Sequence, residues 1–188
     1  MKPIQCPIIV VGPPRSGTSV TAKVLSEHLG VKMGNVFLNL GEKINQRSYE
    51  DMDVVDASTG YSKNQDAEVW KVSMSKFFDK MQQGNCPWGF KDPRVAFGMK
   101  WIIGHFNGRV SVIRCHRSEA LVVKSMMEKL EMKRVVAKHL FDGTNKMLDE
   151  CLAGVPTISL SFNGQIVDEE VLAETISDGL GKLAHAFG

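Results

Sequence analysis

The segment Cys6–Leu29 reads CPIIVVGPPRSGTSVTAKVLSEHL, and the fold follows from it. Ile8-Ile9-Val10-Val11 is a short apolar run that stops at Gly12, the signature of a buried strand. The loop Gly12–Ser19 follows. Val20, Val24, Leu25 and Leu29 then fall at i, i+4, i+5 and i+9, one face of a helix. Gly30 stands where a helix C-terminus takes glycine. Strand, glycine-bracketed loop and helix aim backbone N–H groups and a helix N-terminus into the loop. The ligand suited to that arrangement is an anion, above all a phosphate.

Outward from this unit, the composition is that of a globular chain. Its 188 residues are 43% hydrophobic and 23% charged, enough for one domain with a core. A net charge of +2 gives no global case for nucleic acid or an anionic membrane, although local charge is invisible in the sum. Cys6, Cys86, Cys115 and Cys151 are scattered without metal-binding spacing, as expected of reduced thiols in a cytoplasmic protein. No apolar run reaches the ~20 residues of a membrane span. The apolar run so near residue 1 leads us to expect no signal peptide before the first strand.

Residues 31–87 read as a variable, helical segment beside the loop, facing substrate or serving only as packing. Within it, Phe37–Leu40 precedes a polar, charged stretch, Gly41–Asp53, and Glu68–Met81 has helical periodicity. Trp88–Lys91 reads as a strand ended by Asp92-Pro93. Val95–Phe106 reads as a helix turned by Asn107-Gly108. Arg109–Cys115 is a β-branched strand, and Ser118 is placed to cap a helix from Glu119 to about Met132. A helix over Val135–Ala153, a strand over Val155–Phe162 and a helix over Asp168–Leu183 complete the chain. This alternation predicts a central parallel sheet with helices on both faces, a three-layer α/β/α fold. Ligands of such sheets bind at the carboxyl ends of the strands. The charged clusters at Arg15, Lys91–Arg94 and Arg114–Arg117 all fall there, so they are expected to converge on one site.

Gly12–Ser19 departs from the nucleoside-triphosphatase loop GxxxxGK[ST] at one position. Both glycines and the final hydroxyl of Ser19 are present, but Thr18 replaces the lysine that reaches the β- and γ-phosphates. The cation sits three residues earlier, at Arg15, and no strand ends in a clear Mg²⁺-binding aspartate. Pro14-Arg15-Ser16-Gly17-Thr18-Ser19 resembles the 5′-phosphosulfate loop of the sulfotransferases, particularly bacterial and phage forms with PRSGTS. Lys91-Asp92-Pro93-Arg94 is similar to their KDPR segment. Arg117, at a strand end, and Ser125, eight residues on, resemble their 3′-phosphate pair. Glu119 stands where the usual proline would be, and neither the C-terminal basic-glycine segment nor the cytosolic-type catalytic histidine has a match.

The resemblance implies a P-loop nucleoside triphosphate hydrolase-like fold and the donor 3′-phosphoadenosine 5′-phosphosulfate. Pro14, Arg15, Ser16, Gly17, Thr18 and Ser19 would bind its 5′ end, and Arg117 with Ser125 its 3′-phosphate. Arg114 is a rival to Arg117, with Val122 at its eighth following position. Sulfuryl transfer is an in-line displacement with charge building on the leaving phosphate. Arg15 would neutralise that charge, assisted by Lys91, without a metal ion. A general base must take the acceptor proton; Asp92 is the first candidate, with Glu50, Asp51 and Asp53 as alternatives. The acceptor would be a small molecule or a glycan bearing a hydroxyl or amine, with no nucleic acid partner and no membrane span. A P-loop nucleoside or nucleotide kinase with an altered loop is the alternative, as is a non-catalytic nucleotide-binding relative.

Overall fold

The computed structural model describes residues 6–34, 49–64, 66–164 and 167–187. Four strands, β1 (Ile8–Val11), β2 (Gly89–Lys91), β3 (Ser111–His116) and β4 (Thr157–Ser161), form a parallel sheet in the order β2-β1-β3-β4. β1 is central, pairing Ile8 with both Gly89 and Ser111. All four of its residues are buried, because both faces of the sheet are covered; a parallel strand so placed must be apolar throughout. Lys32 adds a parallel bridge to Trp88 outside β2.

The helices are α1 (Thr18–Glu27), α2 (Met52–Asn64), α3 (Ala67–Gln82), α4 (Met99–His105), α5 (Glu119–Leu130), α6 (Arg134–Cys151) and α7 (Glu169–Phe187). The period-2 alternation of the strands splits the core in two. Ile9, Val11, Phe90 and Val112 face α2, α3, α4 and α6. Ile8, Val10, Ile113, Cys115 and Leu160 face α1 and α7. The chain is therefore the three-layer α/β/α arrangement expected of it.

Local chemistry explains where the elements differ from their sequence limits. The helix expected over Val95–Phe106 divides into a 3₁₀ helix, Pro93–Gly98, and α4. The division falls at Gly98, where a Cβ would lie 2.0 Å from the indole of Trp70. α1 ends at Glu27 rather than Leu29, with Gly30 in the left-handed region at φ +64°. β4 starts at Thr157, since Pro156 has no N–H for a ladder. The expectations for Phe37–Leu40 and most of Gly41–Asp53 lie outside the described residues.

Within residues 31–87, α2 and α3 form a hairpin that supplies much of one core. Phe78 is its hub: its ring lies 4.9 Å from Phe106, 5.9 Å from Phe90 and 6.0 Å from Trp88, centroid to centroid. Trp70 and Trp88 are core residues, 3% and 0% exposed. Among the described residues no helix is long and apolar enough to cross a membrane.

Candidate functional site

Strand order places the site. The chain leaves β1 towards β2 on one side and leaves β3 towards β4 on the other. The carboxyl ends of β1 and β3 therefore flank a topological switch point, where open α/β sheets bind ligands. The loop Gly12–Gly17 leaves β1 there, and Arg117 and α5 leave β3 there.

The loop is pinned from three sides. A Cβ on Gly12 would lie 2.5 Å from Ser16 Oγ and 2.6 Å from the Cys115 carbonyl of β3. Gly17 precedes α1 at φ +106°, and a Cβ there would lie 2.4 Å from the ring of Phe162, just past β4. Thr21 Oγ1 donates to the Gly17 carbonyl at 3.1 Å and lies 3.3 Å from Cys115 Sγ. Burial pushes that thiol up to about 12, against the Thr21 bond and the Lys91 charge, so Cys115 stays protonated and structural. α1 has no side-chain cap and no acid in its first turn, which leaves its positive end uncompensated by either. Gly17→Ala is expected to cost about 1–3 kcal/mol through the ring clash and the positive φ. Adding Phe162→Leu should recover only the clash, a non-additivity that a double-mutant melting cycle would read.

Arg15 adopts φ +70°, a strained conformation for a residue with a side chain, of the kind concentrated at ligand sites. In it, Arg15 Nε donates to Ser125 Oγ of α5 at 3.0 Å. Arg117 Nη1 donates to the Arg15 carbonyl at 3.1 Å. The structure thus brings together Arg15, Arg117 and Ser125, which are up to 110 residues apart. Burial, and then the neighbouring Arg117 charge, hold the Arg15 guanidinium below its ordinary value. Neither arginine has a carboxylate partner among the described residues, and Arg117 Nε and Ser16 Oγ are buried without one. Two cations and a hydroxyl facing a helix N-terminus favour an anion between them. Pro14, Thr18 and Ser19 belong to the same loop and first turn, with Thr18 buried.

Arg114 is held elsewhere. Strand alternation turns it to the α6 side, where Nη1 pairs with Asp149 at 2.6 Å and Nη2 donates to Asn145 at 3.3 Å. Of the two rivals, Arg117 is the one that touches the loop. His116 shares the Arg114 environment. Burial and then the Arg114 charge lower its pKa, against Asp149. Because the folded state resists protonating His116, stability is expected to fall as pH drops below the unfolded value of ~6.5. His116→Asn should flatten that part of the pH–melting profile.

Lys91 ends β2 beside β1 and Asp92 follows it, in a second cluster. Lys91 is 3% exposed and pairs with Glu50 at 2.7 Å. Arg94 bonds the other Glu50 oxygen at 2.9 Å. Asp92 is fully buried, and its two oxygens accept from Arg94 N, Nε and Nη2, each at 2.8 Å. Burial raises the Asp92 carboxyl against the pull of Arg94. Asp92 also caps the 3₁₀ helix. A carboxylate so enclosed holds Arg94 in place; the first-choice base is engaged on both oxygens. Glu50, one of the alternatives, is 15% exposed and still meets solvent. Asp51 is buried and accepts from the Asp53 amide, while Asp53 pairs with Lys80 at the surface. Among the described residues no group of three or more His, Cys, Asp or Glu is arranged to hold a metal ion. Phe162 and Thr21, which brace the loop, carry no sequence signal beyond an apolar residue and a helix threonine.

No protein-family model and no curated protein sequence matches the chain. Solved structures do. A gluconokinase from Sinorhizobium meliloti 1021 aligns with TM-score 0.58 at 14% identity, over 98% of this chain and 96% of that one. A shikimate kinase from Acinetobacter baumannii, in complex with shikimate, aligns at 0.59 and 13%, over 94% of each. The chain has the P-loop fold. A deoxyadenosine kinase from M. mycoides with bound dATP aligns at 0.55 and 13%, over 93% and 98%. At these identities the likeness is one of fold.

Proposed function

We propose that this chain is a single-domain, cytoplasmic P-loop transferase that moves a sulfuryl group from 3′-phosphoadenosine 5′-phosphosulfate to a hydroxyl or amine acceptor. The observation that carries the reading is the Arg15–Ser125 bond, with Arg117 bonded to the same loop at the Arg15 carbonyl. It puts the loop beside Ser125 and Arg117, the side chains that would hold a second anion, and this supports a donor with phosphate at both ends of its nucleoside. Thr18, where a triphosphate-binding loop has lysine, supports the same reading. The donor supplies an activated sulfur–oxygen bond. The loop amides and the α1 N-terminus hold its 5′ end, and Arg117 with Ser125 hold its 3′-phosphate. The acceptor oxygen or nitrogen forms a bond to sulfur as the sulfur–oxygen bond to phosphate breaks. Arg15 stabilises the charge left on that phosphate, and Lys91 assists from β2. The acceptor proton passes to a carboxylate at the β2 end, where Glu50 is better placed than the enclosed Asp92.

A second reading, a nucleoside or small-molecule kinase, is favoured by the fold neighbours, which are kinases; on fold alone it is supported at least as well. Melting in the presence of adenosine 3′,5′-bisphosphate, or of ATP with Mg²⁺, separates the two. At 100 times its Kd, a ligand that binds only the folded state stabilises by about 2.7 kcal/mol. Stabilisation by the bisphosphate is expected. Stabilisation by ATP with Mg²⁺ alone would sink the sulfuryl-transfer reading and establish the kinase one.

A further inference from the structure

Among the described residues nine large hydrophobic side chains are exposed, and six of them lie on α5 and α6: Met127, Leu130, Val135, Val136, Leu140 and Met147. They concentrate towards the tip of the hairpin these helices form. Leu130, Val135 and Val136 bracket its turn, with Val135 80% and Val136 52% exposed. The hairpin does not need them for its own packing. Val122, Val123, Met126 and Ala137, with Met132 and Phe141, build a small core there, apart from the two sheet cores. An apolar tip left outside a complete core marks an interaction surface.

The charges at the tip say what it meets. Along the shafts the lysines are paired, Lys124 with Glu128 and Lys138 with Glu119 and Asp142. At the tip Lys129, Lys133 and Arg134 have no ion pair among the described residues, and the one acid in the turn is Glu131, in the left-handed conformation at φ +53°. Exposed aliphatic side chains ringed by unpaired cations match an anionic lipid surface. The aliphatics enter the headgroup boundary while the cations meet lipid phosphates. A second copy would bring like charges together across a two-fold axis. A nucleic acid would use the cations but not the aliphatics, and no exposed aromatic stands at the tip to stack on a base.

We propose that the α5–α6 tip docks this protein on the surface of a bilayer containing anionic lipid. The surface is independent of which group the loop transfers, so neither reading of the site bears on it. The full chain is expected to co-sediment with vesicles of equal parts phosphatidylglycerol and phosphatidylcholine, not with phosphatidylcholine alone, and less as salt rises. Lys133→Gln with Arg134→Gln should weaken partitioning about 30-fold, for two surface cations. Val135→Ser with Val136→Ser should weaken it about tenfold while keeping the salt dependence. Lys71→Gln, on the distant α3, should change nothing. The four tip positions are exposed and Lys71 is half-buried, and unchanged melting of each variant verifies its fold. The proposal is overturned if the chain ignores anionic vesicles or if both tip variants bind as the parent does. It is equally overturned if the valine pair instead sets the oligomeric state, or if the tip cations bind RNA and not vesicles.

Discussion

Arg15→Ala is expected to lower group transfer about 100- to 1,000-fold, the usual consequence of removing a preorganised group at the site of developing charge. It should do so without unfolding the protein. The Arg15 guanidinium is desolvated and sits beside the Arg117 charge, so its removal relieves repulsion. Alanine at φ +70° keeps the backbone strain already present. The one Arg15 side-chain bond among the described residues, to Ser125, is worth about 1 kcal/mol. The substitution should also abolish stabilisation by adenosine 3′,5′-bisphosphate. Transfer assayed with labelled donor, together with melting of the ligand-free variant, tests the pair of statements. Activity within about threefold of the parent would remove Arg15 from the chemistry.

The largest stability effect is expected at Phe78→Ala, about 3–5 kcal/mol for a fully buried aromatic. For a chain of this size each kcal/mol lowers Tm by roughly 2–4 °C, so a fall of about 10 °C should be seen by calorimetry. Phe78 joins α3 to β2 and α4 through Trp88, Phe90, Trp101 and Phe106. The cavity would open in the middle of one sheet face, where neighbours from several elements cannot collapse together. Val69→Ala, on the same helix but 61% exposed, should stay within about 0.5 kcal/mol. Equal losses at the two positions would mean that this core does not hold the fold.

The loop unit was the most legible part of the chain because its signals are local. The continuous apolar run of β1, the glycines that bracket the loop and helix periodicity after Ser19 are each written within a few residues. Residues 31–87 were the least legible. α2 carries Ser58, Thr59 and Gly60 in its interior, poor helix formers, and forms because Val54 and Ala57 pack in the core it shares with α3. The break at Gly98 answers Trp70, a contact across 28 positions that no window along the chain reveals. At the site, position at the end of the Lys91 strand makes Asp92 the first candidate base, with Glu50 among the alternatives. In space both Asp92 oxygens are taken by Arg94, and Glu50, 41 residues before Lys91, spans Lys91 and Arg94.

The sequence by itself determined a strand, an anion-binding loop and a helix, and the alternation that makes a parallel sheet, because periodicity and glycine positions are local. It also placed a cation at Arg15 and withheld the lysine at Thr18. Only the tertiary structure decided which distant groups meet the loop. β3 turns Arg114 towards Asp149, on the face that alternation gives it, and Arg117, just past the strand end, reaches the Arg15 carbonyl. That choice rests on strand register and on which helix covers which face, quantities set by the packing of the whole chain.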